Sequence, residues 1–305
     1  MDKATVLGTA SAFPTKLRNH PSIYLNLGGA KVLFDCGEGT QRQIRSAGLS
    51  PSVDFIFVTH WHGDHSLGVG GIIQSLNMMK NEGPLTVMGP SGTNASVKHI
   101  LDTYKFYKRL PIKIRSIDAK KELLVKEING HNIYAINVKH AVKCLGYKVK
   151  ENDVRNIRKD LLEKLGVKPG PQLKFLKAGK DIVVGGKKLK ASQFTYIKKG
   201  RSLVYLTDLV YEKNIYKFAK DADVLIIEST FSSNMQNQAK EFMHLTVKDA
   251  LTIAKQSCAG RVYLTHLSQR YENSGEIRKE AADLAKSMGL KAEVAVPDDL
   301  SEIII

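Results

Sequence analysis

Short runs of β-branched and aromatic residues alternate with helical patterns along the chain, without a repeat of fixed period. Six of these runs predict buried strands that end at a polar residue. They are KVLF before Asp35, VDFIFV before His60, NIYAINV before His140, SLVYLT before Asp208, VLII before Glu228 and RVYLT before His266. Because α/β proteins build their sites at the carboxyl ends of strands, we expect these six side chains along one edge of sheet.

Helical periodicity fills the intervals between the strands. It predicts one helix over residues 67–79 and another over residues 247–256, with Thr246 as N-cap and Asp249 in the first turn. The sequence therefore predicts an α/β (α+β) protein. We expect the chain, residues 1–305, to form a single domain.

Residues 148–190 do not follow this alternation of strands and helices. They contain 13 Lys or Arg against 5 Asp or Glu, and Gly and Pro are frequent in their centre. This composition predicts a projecting basic insertion, although a solvated loop is the ordinary explanation of a charge run.

Composition narrows the class of protein. A hydrophobic share of 43% and a charged share of 25% are typical of a soluble globular chain, and the net charge of +16 favours polyanionic partners. No apolar run approaches the roughly 18 residues that span a bilayer. The first residues do not resemble a signal peptide, so we expect no membrane association and a cytoplasmic location. Cys36, Cys144 and Cys258 are expected as reduced core thiols.

The segment THWHGDH holds four potential metal ligands in six residues: His60, His62, Asp64 and His65. Gly63 would supply the backbone freedom that lets the chain turn and the ligands converge. Imidazole and carboxylate without thiolate suit zinc in a hydrolytic site, or manganese or iron. The ordinary alternative is a polar loop of satisfied histidines.

HxHxDH after a strand resembles the signature of the metallo-β-lactamase superfamily, and His140, Asp208 and His266 follow in the order of its other ligands. The resemblance implies a four-layer αββα sandwich with two Zn²⁺ per subunit. It implies one metal on His60, His62 and His140, the other on Asp64, His65 and His266, and Asp208 as the bridge. Two such metals activate water and neutralise charge on a phosphoryl oxygen. Taken alone, Asp208 could be a turn residue and His266 a strand-end histidine.

Four stretches resemble ribonuclease Z more narrowly: LGTASAFPTKLRNHPSIYL, LFDCGEGTQRQI, the basic insertion and THLSQRY. The resemblance implies a zinc-dependent endoribonuclease, a homodimer that removes the 3′ trailer from precursor tRNA. Hydrolysis would leave a 3′-hydroxyl on the tRNA and a 5′-phosphate on the trailer. The insertion would be the exosite arm that binds tRNA.

The same resemblance assigns catalytic roles. His244 would donate a proton to the leaving 3′-oxygen, Glu228 would hold its imidazole, and Asp64 would orient or deprotonate the water. A histidine before a helix is otherwise a capping or surface residue. The family often has a histidine before this glutamate, where this chain has Ile227, so no orienting role is expected at that position.

Nine further residues are expected to contact substrate. For the first three the alternative is a solvated loop, and the last three would either brace the loop that carries His266 or contact phosphate. They are Lys16, Arg18, Asn19, Gly170, Pro171, Lys174, Ser268, Arg270 and Tyr271.

Two other functions remain open at this point. One is a hydrolase of the same fold that acts on a small phosphodiester or sulfate ester, which would not need the basic insertion. The other is an RNA-binding protein with a structural metal site, against which the absence of thiolate ligands argues.

Overall fold

In the computed structural model, which describes residues 3–79, 83–104 and 110–305, two mixed sheets of seven strands each carry the larger part of the chain. The first sheet has the spatial order β18-β1-β2-β3-β4-β5-β6. Its strands are β1 Lys3–Gly8, β2 Ser22–Leu27, β3 Ala30–Phe34, β4 Phe55–Phe57, β5 Leu85–Pro90, β6 Ile112–Ile117 and β18 Glu302–Ile304. Strands β3 to β6 run parallel, whereas β18, β1, β2 and β3 pair antiparallel.

The second sheet has the spatial order β17-β16-β15-β14-β9-β8-β7. Its strands are β7 Leu123–Ile128, β8 His131–Val138, β9 Cys144–Glu151, β14 Ser202–Leu206, β15 Val224–Glu228, β16 Arg261–Thr265 and β17 Glu293–Ala295. Strands β14 to β17 run parallel, and β9 pairs antiparallel with β14. Every residue of β14 and β15 is buried, which explains why these parallel strands are continuous apolar runs rather than alternating ones.

Apolar side chains of both sheets form the central core. Phe34 and Phe57 of the first sheet stack with ring centroids 5.3 Å apart, and Tyr147 of the second sheet lies 5.4 and 5.5 Å from them. Tyr147 also donates its hydroxyl to the backbone oxygen of Val58 at 2.9 Å, so its buried polar atom is satisfied.

Helices cover the outer face of each sheet and complete four layers. Two further clusters of buried apolar residues lie there, one that includes Ile44, Ile72 and Val97 and one that includes Leu251 and Ile277. The predicted αββα sandwich is thus confirmed. The helices of this part are α1 Thr40–Ser46, α2 Gly63–Ser66, α3 Gly68–Met78, α4 Thr93–Thr103, α8 Gln236–Phe242, α9 Val247–Ser257 and α10 Gly275–Ser287.

Helix α9 begins as predicted. The hydroxyl of Thr246 accepts from the backbone N–H of Asp249, and the Asp249 carboxylate accepts from the N–H of Thr246, which forms a capping box. None of the helices in the described ranges is long and apolar enough to cross a bilayer.

Residues Glu151–Arg201 form a second compact unit. Its elements are β10 Val154–Ile157, α5 Lys159–Lys164, α6 Leu173–Lys177, β11 Ile182–Val184, β12 Lys187–Leu189, α7 Ala191–Phe194 and β13 Thr195–Lys198. A small core of its own includes Leu162, Leu176 and Leu189. The unit carries 14 Lys or Arg against 5 Asp or Glu. It overlaps the insertion predicted at 148–190, whose role as an exosite stays a prediction.

The cysteine prediction is correct for two residues and wrong for the third. Cys36 and Cys144 are buried, but Cys258 is exposed. It follows the last turn of α9 in a left-handed conformation with φ 54°, so the chain reverses there and its side chain is left at the surface.

Candidate metal centre and active site

Strand ends from both sheets bring the predicted site residues to one place. Asp35 follows β3, Asp208 follows β14, and His266 follows β16. All three have positive φ, of 56°, 53° and 60°, so the chain turns sharply after each strand. Left-handed backbone is uncommon outside glycine and is typical of positions that the surrounding structure over-determines.

The first group of potential ligands contains His60, His62, His140 and Asp208, whose donor atoms lie within 4.8 Å of one another. His62 Nδ1 lies 2.9 Å from His60 Nε2 and 3.4 Å from His140 Nε2. Asp208 Oδ2 lies 3.6 Å from His60 Nε2 and 3.7 Å from His140 Nε2.

The second group contains Asp64, His65 and His266. Asp64 Oδ2 lies 3.3 Å from His65 Nε2 and 3.5 Å from His266 Nε2. The other oxygen of Asp208, Oδ1, lies 3.2 Å from each of these two imidazole nitrogens. Asp208 thus presents one carboxylate oxygen to each group, which is the arrangement of a bridging ligand.

The spacing of these atoms fits a metal ion. Tetrahedral zinc with bonds of about 2.0–2.1 Å holds its ligand atoms about 3.3 Å apart. The separations in the two groups run from 2.9 to 3.7 Å, with only imidazole nitrogen and carboxylate oxygen as donors. The residues therefore fit one divalent cation in each group, and binding itself stays a prediction.

Hydrogen bonds from residues next to the two ligand groups orient the imidazoles. His65 Nδ1 lies 2.8 Å from Asp35 Oδ2, His266 Nδ1 lies 2.9 Å from the hydroxyl of Thr230, and His140 Nδ1 lies 3.2 Å from the backbone oxygen of Met243. In each case the second ring nitrogen, Nε2, is directed into the ligand group. Such partners fix the orientation of metal-binding histidines.

Asp35, which the sequence places at the same edge, is a residue to which the sequence analysis gives no role. It is fully buried and accepts hydrogen bonds from the backbone N–H and hydroxyl of Thr59, and from the Tyr205 hydroxyl at 3.0 Å. Its position after the KVLF strand was the available signal, since the other five residues of that strand-end set are all predicted site residues.

The electrostatics also favour cations. Burial lowers the pKa of His60 well below its ordinary value, and burial lowers that of His140, which keeps both imidazoles neutral as metal ligands require. Burial opposes charge on Asp208, but the neighbouring His266 and His65 hold the pKa of its carboxyl well below the usual range. Asp35, Asp64 and Asp208 surround His65 with carboxylates. Burial by itself lowers the pKa of His65, but Asp208 and Asp35 raise it well above its ordinary value.

A second pair of titratable groups lies beside the ligands. His244 Nδ1 lies 3.1 and 3.3 Å from the two oxygens of Glu228, which is fully buried. Burial by itself lowers the pKa of His244, but the Glu228 carboxylate outweighs it and raises that pKa to about 9. Glu228 also accepts from the backbone N–H groups of Leu209 and Leu245, so it is held rigidly.

These residues open into a pocket of about 540 Å³. Its walls include Asp64, His140, Asp208, His244 and His266. Two of the predicted substrate contacts, Ser268 and Arg270, also line it. An Arg270 guanidinium N–H donates to the Ser268 hydroxyl at 3.0 Å.

Other predicted substrate contacts lie inside the protein. Arg18 is 3% exposed, and its guanidinium donates to the Asp298 carboxylate and to the backbone oxygens of Glu272 and Pro297. Asn19 is 8% exposed and donates to the backbone oxygen of Glu38. Their polar groups brace the loop internally, which contradicts the alternative of a solvated loop, and a contact with substrate stays a prediction for both residues.

The remaining predicted contacts differ in exposure. Tyr271 is 6% exposed and its hydroxyl accepts from the backbone N–H of Ser232, which favours the bracing alternative. The side chain of Lys16 is exposed. In the small unit, Pro171 and Lys174 are exposed and Gly170 is half-buried; Lys174 lies in α6, and the other two precede it.

The glycine that the site requires is Gly37 rather than Gly63. Gly63 is the first residue of α2 and is not among the positive-φ residues, so its left-handed freedom is not used. Close packing instead requires Gly37, where an added Cβ would lie 2.2 Å from the backbone oxygen of Asp64. The turn after β3 therefore touches the ligand loop through backbone.

Comparison with known proteins agrees with this geometry. Family models match two segments, the anti-Pycsar protein Apyc1 over residues 3–97 and the beta-lactamase superfamily domain over residues 185–267. Ribonuclease Z of Methanococcus maripaludis is 38% identical over 306 residues, with 98% of each chain covered. Ribonuclease Z of Nanoarchaeum equitans is 37% identical and covers 88% of this chain and 84% of its own length.

A solved structure extends the comparison to the fold. Human tRNase Z, short form, superposes with a TM-score of 0.69 at 22% identity over 99% of this chain and 98% of the human one. The identity to the archaeal relatives over nearly the whole length places the chain in a family: it belongs to the ribonuclease Z family of endoribonucleases.

Proposed function

We propose that the chain is a zinc-dependent endoribonuclease that removes the 3′ trailer from precursor tRNA, leaving a 3′-hydroxyl on the tRNA and a 5′-phosphate on the trailer. The observation that carries the proposal is the pair of ligand groups that share Asp208, next to His244 and Glu228. The names of similar proteins, ribonuclease Z and human tRNase Z, support tRNA as the substrate. We further propose a homodimer that acts in the cytoplasm.

The two ligand groups would each hold one Zn²⁺, and Mn²⁺ or Fe would suit the same donors. Such ions, when bound, activate water and stabilise negative charge on phosphoryl oxygens. Asp64 has a side chain that is 10% exposed at the pocket wall, where it can orient the attacking water.

His244 would complete the reaction on the leaving-group side. A 3′-alkoxide is too basic to depart unprotonated, so a positioned acid accelerates its release. Glu228 occupies Nδ1, which leaves Nε2 as the nitrogen that donates into the pocket. The pKa of His244, raised to about 9, keeps the ring protonated near neutral pH.

The basic small unit would contribute to the binding of tRNA. Its excess of Lys and Arg suits phosphates, and shape recognition is how proteins bind folded RNA. We propose that Gly170, Pro171 and Lys174 belong to this contact.

The test compares three variants on trailer-bearing precursor tRNA and on a small chromogenic phosphodiester. Asp64→Ala should lose both activities and at least one metal ion per subunit by elemental analysis. Asp102→Ala, which removes an exposed carboxylate of α4, is the matched control and should lose neither. Full activity of Asp64→Ala would refute the metal mechanism.

The third variant replaces residues 151–201 by Asn-Gly. Lys150 and Ser202 are paired in the antiparallel ladder of β9 and β14, so a two-residue turn can join them. We expect loss of tRNA cleavage with the small ester still cut. Unchanged tRNA cleavage would refute a role for the small unit and favour a hydrolase of small esters.

A further inference from the structure

Two exposed aromatic rings lie at the rim of the metal pocket. Phe13 is 62% exposed and Phe242 is 55% exposed, and both line the same pocket as Asp64 and His244. Large apolar side chains at the surface are ordinary when scattered, but two phenylalanines at the mouth of one site indicate a binding surface.

Phe242 is held in a fixed position. It is the last residue of α8, and its ring stacks on that of Phe231 with centroids 6.2 Å apart and an interplanar angle of 25°. Phe231, which is buried, lies 6.3 Å from the His244 ring. Met243, with φ 60°, turns the chain, and its backbone oxygen accepts a hydrogen bond from Nδ1 of His140. Phe242 is thus the outermost of three rings in contact, Phe242, Phe231 and His244, of which His244 lies at the site.

Phe13 belongs to a loop that is tied down on both sides. Ser11 donates its backbone N–H to the oxygen of Leu267 at 3.0 Å, and Ala10 donates to the oxygen of Asn19 at 2.9 Å. The buried guanidinium of Arg18 fixes the far end of the loop. The exposure of the Phe13 ring therefore belongs to an ordered loop.

We propose that Phe13 and Phe242 form a stacking surface for the unpaired nucleobase next to the phosphodiester that is cut. The inference rests on the proposed function, because an RNA strand must enter this pocket for its phosphate to reach the ligand groups. Every nucleobase offers a π-face, and a stacked base contributes about 1–3 kcal/mol without sequence preference. Arg270 lies in the same wall and supplies a positive charge near the strand.

Stacking here would position the backbone as well as bind the strand. A base fixed on Phe242 is attached through its sugar to the scissile phosphate, and Phe242 is tied through the rings of Phe231 and His244 to the ligands. The rings therefore act as positioning residues that select single-stranded ends. A base inside a duplex has no free face for them.

The test uses a short single-stranded RNA that carries 2-aminopurine next to the scissile position, with a methylene phosphonate in place of the ester so that it is not hydrolysed. Stacking on the zinc-loaded protein should quench the fluorophore. Phe13→Leu and Phe242→Leu keep apolar bulk and should relieve the quenching and weaken binding about 5- to 150-fold. Phe242→Tyr should restore both.

Leu17→Ala is the matched control, since Leu17 is also 62% exposed and lies in the same loop. It should retain full quenching. Equal quenching in Phe242→Leu and wild type would overturn the proposal, whereas loss in Phe242→Leu but not in Phe242→Tyr would support it. Failure of wild type to cut precursor tRNA would refute the proposed function alone, since quenching is read on the oligonucleotide without cleavage.

Discussion

Replacing His244 by alanine should separate acid catalysis from metal chemistry. His244 Nδ1 contacts both oxygens of the fully buried Glu228, at 3.1 and 3.3 Å, so its other ring nitrogen is the one that can reach a leaving group in the pocket. Removing a positioned acid typically slows a reaction by about 10²–10⁴-fold. We expect a loss of this size in the rate constant for cleavage of precursor tRNA, measured under single-turnover conditions.

The same variant should lose far less activity on a nitrophenyl phosphodiester, because its leaving group departs as a stable anion without a proton. Glu228→Gln keeps a hydrogen-bonding shape but loses the charge. Hydrogen bonds to charged groups are stronger than neutral ones by about 1–2 kcal/mol. Glu228→Gln should therefore cleave precursor tRNA about 5- to 30-fold more slowly. His99→Ala, which alters an exposed histidine of α4, is the control. Equal losses of His244→Ala on the two substrates would refute the reasoning.

Three further changes test the site, the packing and the small unit. Asp35→Asn should weaken zinc binding about 10- to 100-fold by competition with a chromophoric chelator, because His65 loses its charged partner. Gly37→Ala should lower the melting temperature and reduce metal occupancy, since its Cβ would clash with the backbone oxygen of Asp64; unchanged metal content would contradict this contact. Lys168, Lys174 and Lys177 changed together to Glu should weaken tRNA binding and flatten its salt dependence in filter-binding titrations. The matched control carries the same change at three exposed lysines of the larger unit: Lys279, Lys286 and Lys291.

The sequence predicted those features that depend on local pattern. Strands β14 and β15 are fully buried and were visible as continuous apolar runs, and the cap at Thr246 follows from short-range hydrogen bonding. The ligand cluster from His60 to His65 is contiguous in sequence, so its chemistry could be inferred without a fold.

Features that depend on distant contacts were missed or wrong. Arg18 looks like a solvent-facing cation in sequence, but its partners lie about 280 residues further along the chain, in the segment around Asp298. Asp35 and Tyr205 meet across the two sheets, a pairing that no local pattern records. Cys258 was expected in the core and is exposed, because α9 ends there and Cys258 itself has left-handed backbone.

The left-handed conformations at the strand ends connect these observations. Each such residue costs on the order of 1–3 kcal/mol and persists only when its surroundings fix it. Asp35 is fixed by Thr59, Tyr205 and His65, and His266 by the hydroxyl of Thr230. At the strand ends, three of the left-handed residues, Asp35, Asp208 and His266, therefore direct their side chains inward from two sheets onto one point. A fold in which these strands continued straight would carry the same residues along an edge without bringing them together.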